Sequence, residues 1–118
     1  SEMNFYNKNR KRIEIFWAKD KKNWDMKKIS KIFANKTVYI TFDVDGFDSS
    51  VMPATGTPEP GGFFWDDIIP IIKTVSKHSN VVGADINELA PIKRFDSYNF
   101  LVAKLAYKMM AYIFEFKD

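Results

Sequence analysis

The chain has 118 residues, 46% of them hydrophobic and 28% charged, enough for one modest domain with its own core. It contains no cysteine, which excludes disulfides, cysteine-based zinc sites and cysteine nucleophiles. The net charge is only +3. The excess gathers in the first thirty residues, from Lys8 to Lys28, as a solvated basic face without a nucleic-acid motif. No apolar stretch approaches the roughly 20 residues of a membrane-spanning helix. The first residues are polar and show no signal-peptide pattern. The expectation is a cytoplasmic protein with neither nucleic acid nor membrane as partner.

In chain order, Ile13 to Trp17 alternates loosely and is predicted as a strand. Trp24 to Phe33 carries Met26, Ile29, Ile32 and Phe33 at helical spacing and is predicted as an amphipathic helix. Thr37 to Phe42, rich in β-branched and aromatic residues, is predicted as a strand. Gly46 to Gly62 holds three prolines and four glycines and is predicted as a loop. Phe64 to Lys77 follows as a helix with Asp66 and Asp67 in its first turn, where the helix dipole favours them. Pro70 requires that this helix start near it or bend there. Asn80 to Ile86 is a further strand. Ser97 to Phe116 is a last helix, with the apolar residues Phe100, Leu101, Leu105, Met109, Tyr112 and Ile113 on one stripe. Alternating strands and helices imply crossovers and a parallel sheet.

The carboxyl ends of parallel strands are where sites form in such folds. Asp43 and Asp45 follow one strand, and Asp85 and Glu88 close the next. The three aspartates of "DVDGFD", Asp43, Asp45 and Asp48, repel one another unless a cation, a hydrogen-bond cage or water intervenes. Residues two apart on a strand share a face, so Asp43 and Asp45 converge while Val44 turns into the packing. Hard oxygen donors suit magnesium, calcium or manganese, and turn-forming or capping roles are the alternative. An EF-hand loop fails at Phe47, Asp48 and Ala54. The D-x-D-G-T signature of haloacid-dehalogenase phosphatases fits "FDVDG" but not Phe47 and Asp48 after it.

"YITFDVDGFDSSVMPATGTPEPGG" resembles the ureohydrolases, the arginases and agmatinases, in their motif S-x-D-x-D-x-x-D-P and the loop P-[GA]-T-G-T-P-x-x-G-G. "VVGADINELAP" is similar to the family's G-x-D-[IV]-x-E-x-x-P. The likeness covers about residues 37 to 114, so residues 1 to 118 read as a single partial domain, the carboxyl-terminal part of a ureohydrolase domain. It departs from the pattern at Thr41, where serine is frequent, and at Ser49, where proline is usual. The family's first two metal motifs, G-G-D-H-S and D-A-H-x-D, do not occur among the 118 residues.

The resemblance implies a three-layer α-β-α fold with a parallel sheet. It implies hydrolysis of a guanidino compound, agmatine favoured over arginine, by a hydroxide bridging two manganese ions. That chemistry belongs to polyamine biosynthesis and arginine metabolism. The resemblance also implies a homo-oligomer, trimer or hexamer, for the full-length protein. Asp43 and Asp45 match metal ligands, Glu88 matches the carboxylate that pairs with the substrate guanidinium, and Asp85 matches an acidic residue near the substrate. Asp48 anchors the loop of Gly56, Thr57, Pro58, Gly61 and Gly62 that walls the site. His78, the single histidine, falls at the opposite end of the strand and is expected as an exposed loop residue. The isolated chain is expected to be inactive. A silent fragment or interaction module is the alternative, and a phosphatase a distant third.

Overall fold

A computed structural model describes residues 1–117. Four helices, α1 (Glu2–Asn9), α2 (Met26–Phe33), α3 (Trp65–His78) and α4 (Asp96–Glu115), accompany two strands, β1 (Thr37–Asp43) and β2 (Asn80–Asn87). Short 3-10 turns occupy Ala18–Asn23 and Val44–Gly46. The strands pair in parallel, from Thr37 opposite Asn80 to Asp43 opposite Asn87, with one irregularity between Val38 and Tyr39. Their connection runs through α3, which packs on α2 and α4. The fold is α/β with a parallel sheet, as expected.

Two faces of the sheet differ. Ile40, Phe42 and Ile86 pack against Ile68 and Ile72 of α3 and Leu105 and Met109 of α4. Tyr39, Thr41 and Asp43 alternate with them on the opposite, exposed face. On that face the Tyr39 ring lies over Gly83; a Cβ there would come within 2.6 Å of it.

The expected strand at Ile13 to Trp17 is not formed. Among the described residues it has no strand to pair with, and its aromatics pack instead. Phe16 meets Trp24 edge-on at 5.6 Å, Trp24 meets Phe63 at 5.4 Å, and the Trp24 indole N–H donates to the Trp17 carbonyl at 3.2 Å. That cluster explains why α2 starts at Met26 rather than Trp24. Asp25 caps it, accepting from the Lys27 N–H at 2.9 Å. In α3 the helix begins before Pro70, whose missing N–H leaves the Asp66 carbonyl without its usual donor. Asp67 serves the start of this helix, accepting from the Phe64 N–H at 2.8 Å.

Phe100 departs from the expected stripe and is exposed. It precedes Leu105 by five residues, about 140° around a helix, so the two point to different sides. Met109 is buried but its neighbour Met110 is exposed. Trp24 and Trp65 are partly covered, while Trp17 is exposed.

The least accessible side chains lie largely in the predicted loop. Val44, Phe47, Met52 and Ala54 are fully or almost fully buried, together with Leu105. The segment is irregular in backbone yet packed as core. Asp48 N–H donates to the Phe63 carbonyl, Phe63 N–H to the Gly46 carbonyl and Ser49 N–H to the Glu59 carbonyl, each at 2.9–3.0 Å. These bonds satisfy a buried backbone that no regular element serves.

Candidate active site

Asp43 is the last residue of β1 and is exposed. The strand ends there, so its alternation does not extend to Asp45, contrary to the expectation from spacing. Asp45 lies in the Val44–Gly46 turn, and the turn, rather than the strand, directs its carboxylate toward the loop. There it accepts a hydrogen bond from the Thr57 hydroxyl at 2.9 Å. Val44 between them is fully buried, as the sequence suggests. Among the described residues no side-chain hydrogen bond engages Asp43.

Asp48 is held within the loop. It accepts from the Ser50 N–H at 2.9 Å, the Ser50 hydroxyl at 2.5 Å and the Gly61 N–H at 2.8 Å. The Ser50 bonds, hydroxyl first, and that from Gly61 stabilise the anion and lower its pKa from 3.8 to about 2. Gly61 adopts φ 86°, a conformation glycine reaches without steric cost. Gly62 approaches the Phe47 backbone so closely that a Cβ would lie 2.5 Å from its carbonyl carbon. Gly56 is unconfined, and exposed Pro58 follows Thr57.

On β2, Asp85 is fully engaged. One oxygen accepts from Thr41 at 2.5 Å and Asn87 at 2.6 Å, the other from the Tyr39 hydroxyl at 3.0 Å. The Thr41 bond, then that of Tyr39, holds its pKa below the usual range, and the same contact raises that of Tyr39. The carboxylate ties β1 to β2. Sequence reasoning missed Tyr39 and Asn87 as its partners. The signal was their spacing: Tyr39 and Thr41, like Asp85 and Asn87, are two apart and share a strand face.

Glu88 follows β2, exposed, with φ 68°. A side chain in this left-handed region costs about 1 kcal/mol, and strained residues concentrate at functional sites. The next residues hold it there: Leu89 packs on the core and the Ala90 N–H donates to the Ala54 carbonyl at 2.8 Å. The carboxyl ends of the paired strands therefore present Asp43, Asp45 and Glu88 along one edge. His78 ends α3, exposed and next to the opening of β2, at the other end.

Sequence reasoning also missed Lys21, assigned to the solvated basic face. Its ammonium donates to the Gly62 carbonyl at 2.8 Å and pairs with Asp67 at 2.7 Å, above the rings of Phe63 and Phe64. It joins the amino-terminal segment to the Gly-rich loop and to α3. Nothing in the spacing of the early lysines separates it from its neighbours.

Among the described residues, no group of three or more histidine, cysteine or carboxylate side chains is placed to hold a metal ion. Asp43 and Asp45 are donors of the right kind for a hard cation, but alone they do not make up a manganese pair.

The sequence model of the Arginase family matches residues 1–112, and the chain belongs to that family. The match reaches well ahead of residue 37, so the aromatic segment before β1 is part of the family pattern too. The N(1)-aminopropylagmatine ureohydrolase of Synechocystis is 42% identical over 105 residues, 86% of this chain and 34% of its own length. An agmatinase of Pyrococcus horikoshii is 39% identical over 59% of this chain and 25% of its own. The solved agmatine ureohydrolase of Thermoplasma volcanium superposes with a TM-score of 0.76 at 30% identity, over 96% of this chain and 39% of that one. The chain thus spans about a third or less of the length of these curated relatives. Helicobacter pylori arginase, at 15% identity and TM-score 0.78, shares the fold. No helix among the described residues is long and apolar enough to cross a membrane.

Proposed function

We propose that this chain forms the carboxyl-terminal part of a ureohydrolase domain that releases urea from a guanidino compound, agmatine in preference to arginine. The observation that carries the reading is the single edge at which β1 and β2 of an Arginase family chain present Asp43, Asp45 and Glu88. The Glu88 carboxylate pairs with the planar guanidinium through two parallel hydrogen bonds, a geometry that fixes orientation as well as charge. Asp43 and Asp45 would supply carboxylate oxygens to a manganese centre, together with ligands beyond these residues. Asp85 acts behind this edge: its oxygens are committed to Tyr39, Thr41 and Asn87, so it positions strand ends rather than contacting substrate. The name of the Synechocystis relative favours a second candidate substrate, N(1)-aminopropylagmatine, with the same guanidinium on a longer polyamine.

Urea release by the complete protein tests this. Agmatine or N(1)-aminopropylagmatine should be turned over with higher kcat/KM than arginine. Asp43→Asn should lose most of the activity, on the order of a hundredfold or more. A preference for arginine would refute the substrate reading. Absence of urea release from all three would favour the silent-module alternative.

A further inference from the structure

Lys21 belongs to the Ala18–Asn23 turn, and its side chain is only 19% exposed, against 60% for Lys28 in the pair with Glu14. A shielded pair keeps its geometry where an exposed one contributes little. The ammonium donates to the Gly62 carbonyl at 2.8 Å and to Oδ2 of Asp67 at 2.7 Å. That same oxygen accepts the Phe64 N–H at 2.8 Å. Lys21 thus closes a ring of contacts around Phe63, from Gly62 on one side to Phe64 on the other. Trp24, whose N–H donates to the Lys21 carbonyl at 3.3 Å, adds to the grip with its ring 5.4 Å from that of Phe63. Phe63 in turn holds the segment that carries Asp45 through both of its backbone groups. Its N–H donates to the Gly46 carbonyl at 3.0 Å, and its carbonyl accepts the Asp48 N–H at 2.9 Å. Gly46 is the residue after Asp45.

We propose that Lys21 is a positioning residue for the acidic edge, acting through Phe63 and Gly46 on Asp45. The proposal rests on the ureohydrolase reading above. Among the described residues the Asp45 carboxylate has one side-chain partner, the Thr57 hydroxyl. The rest of its orientation comes from the Val44–Gly46 turn, whose last carbonyl is the one bonded to Phe63. Without the ammonium, the Gly62 carbonyl and Asp67 lose the charged donor they share, and the Phe63 backbone is free to shift. A shift there passes to the Gly46 carbonyl and from it to Asp45. Displacing a catalytic group by about 1 Å can cost on the order of a hundredfold in rate. Glu88 lies off this path, since its backbone is fixed from β2 and by the bond of the Ala90 N–H to the Ala54 carbonyl. Removing the ammonium therefore spares pairing with the guanidinium and acts on the metal-binding edge.

Three variants of the complete protein test this: Lys21→Met, Lys21→Arg and Ile29→Val. Methionine keeps an unbranched stem over Phe63 and Phe64 but donates nothing, whereas arginine keeps the charge and can give separate N–H groups to the two acceptors. Ile29, buried in α2, supplies a control in which only packing is weakened. Lys21→Met should lose about tenfold in kcat for urea release and about tenfold in manganese affinity by calorimetric titration. Its KM should stay within about twofold of the parent. Amide exchange at Phe63 and Asp48 should accelerate about tenfold, while the amides of α4 exchange as in the parent. Lys21→Arg should bring kcat, manganese affinity and exchange back to within about threefold of the parent. Ile29→Val should lower the melting temperature and leave kcat unchanged. Parental kcat and manganese affinity in Lys21→Met would overturn the role of Lys21 and leave the ureohydrolase reading intact. So would losses that recur in Ile29→Val in proportion to its lowered melting temperature. A parent that releases no urea from agmatine, N(1)-aminopropylagmatine or arginine would instead overturn the reading itself, and this role with it.

Discussion

Asp48 sits two positions beyond the turn that carries Asp45, yet its carboxylate serves the backbone. Its anion is stabilised by Ser50 and Gly61, so its pKa falls from 3.8 to about 2 in the fold. A lowered folded pKa means that this contribution is present above 3.8 and is lost as pH falls toward 2. Asp48→Asn should therefore lower the melting temperature at neutral pH, and the melts of variant and parent should converge as the pH approaches 2. Thermal melts across that window check the sign; an equal deficit at every pH would show that ionisation is not what matters. Asp85 is also held below the usual carboxylate range, Thr41 first, but with a different consequence, because its donors come from both strands. Glu88 contrasts with both. Its left-handed backbone is maintained by its neighbours.

At the scale of elements, the Gly-rich loop is a packed body, not a flexible cover. Gly62→Ala would drive a methyl into the Phe47 backbone, and Phe47 is too buried to give way. The variant should lose about 1–3 kcal/mol of stability. Gly56→Ala meets nothing and has no left-handed backbone, so it should lie within about 0.5 kcal/mol of the parent. Urea denaturation midpoints distinguish the two; equal midpoints would refute the close approach. Much of the element order was legible. The apolar runs before Asp43 and after Asn80 and the helical spacing after Asp96 are each local signals. The Ile13 to Trp17 segment was not legible, because a loose alternation cannot reveal whether a partner strand exists. The stripe on α4 was half legible. Its residues are apolar, but only packing tells which side of the helix meets the core. Within the candidate site, the acidic positions could be read from the chain. The turn at Asp45, the left-handed Glu88 and the tether at Lys21 depend on contacts between distant residues, which spacing does not encode.

At the scale of the whole molecule, the described residues assemble one edge of a site rather than a finished metal centre. Manganese favours about six oxygen-rich ligands in an ordered shell. The chain alone is therefore expected to bind manganese weakly or undetectably in a calorimetric titration and to release no urea. Tight binding of two ions with turnover would show that these residues suffice. The burial of Val44, Phe47, Met52 and Ala54 has a further consequence. Here the stretch that bears the proposed chemistry is also the nucleus of cohesion, so conformational integrity and reactivity are not separately adjustable. Random variants selected for loss of turnover will include many collapsed proteins from residues 44 to 54. The informative chemical lesions will be confined to the few side chains that point outward from it.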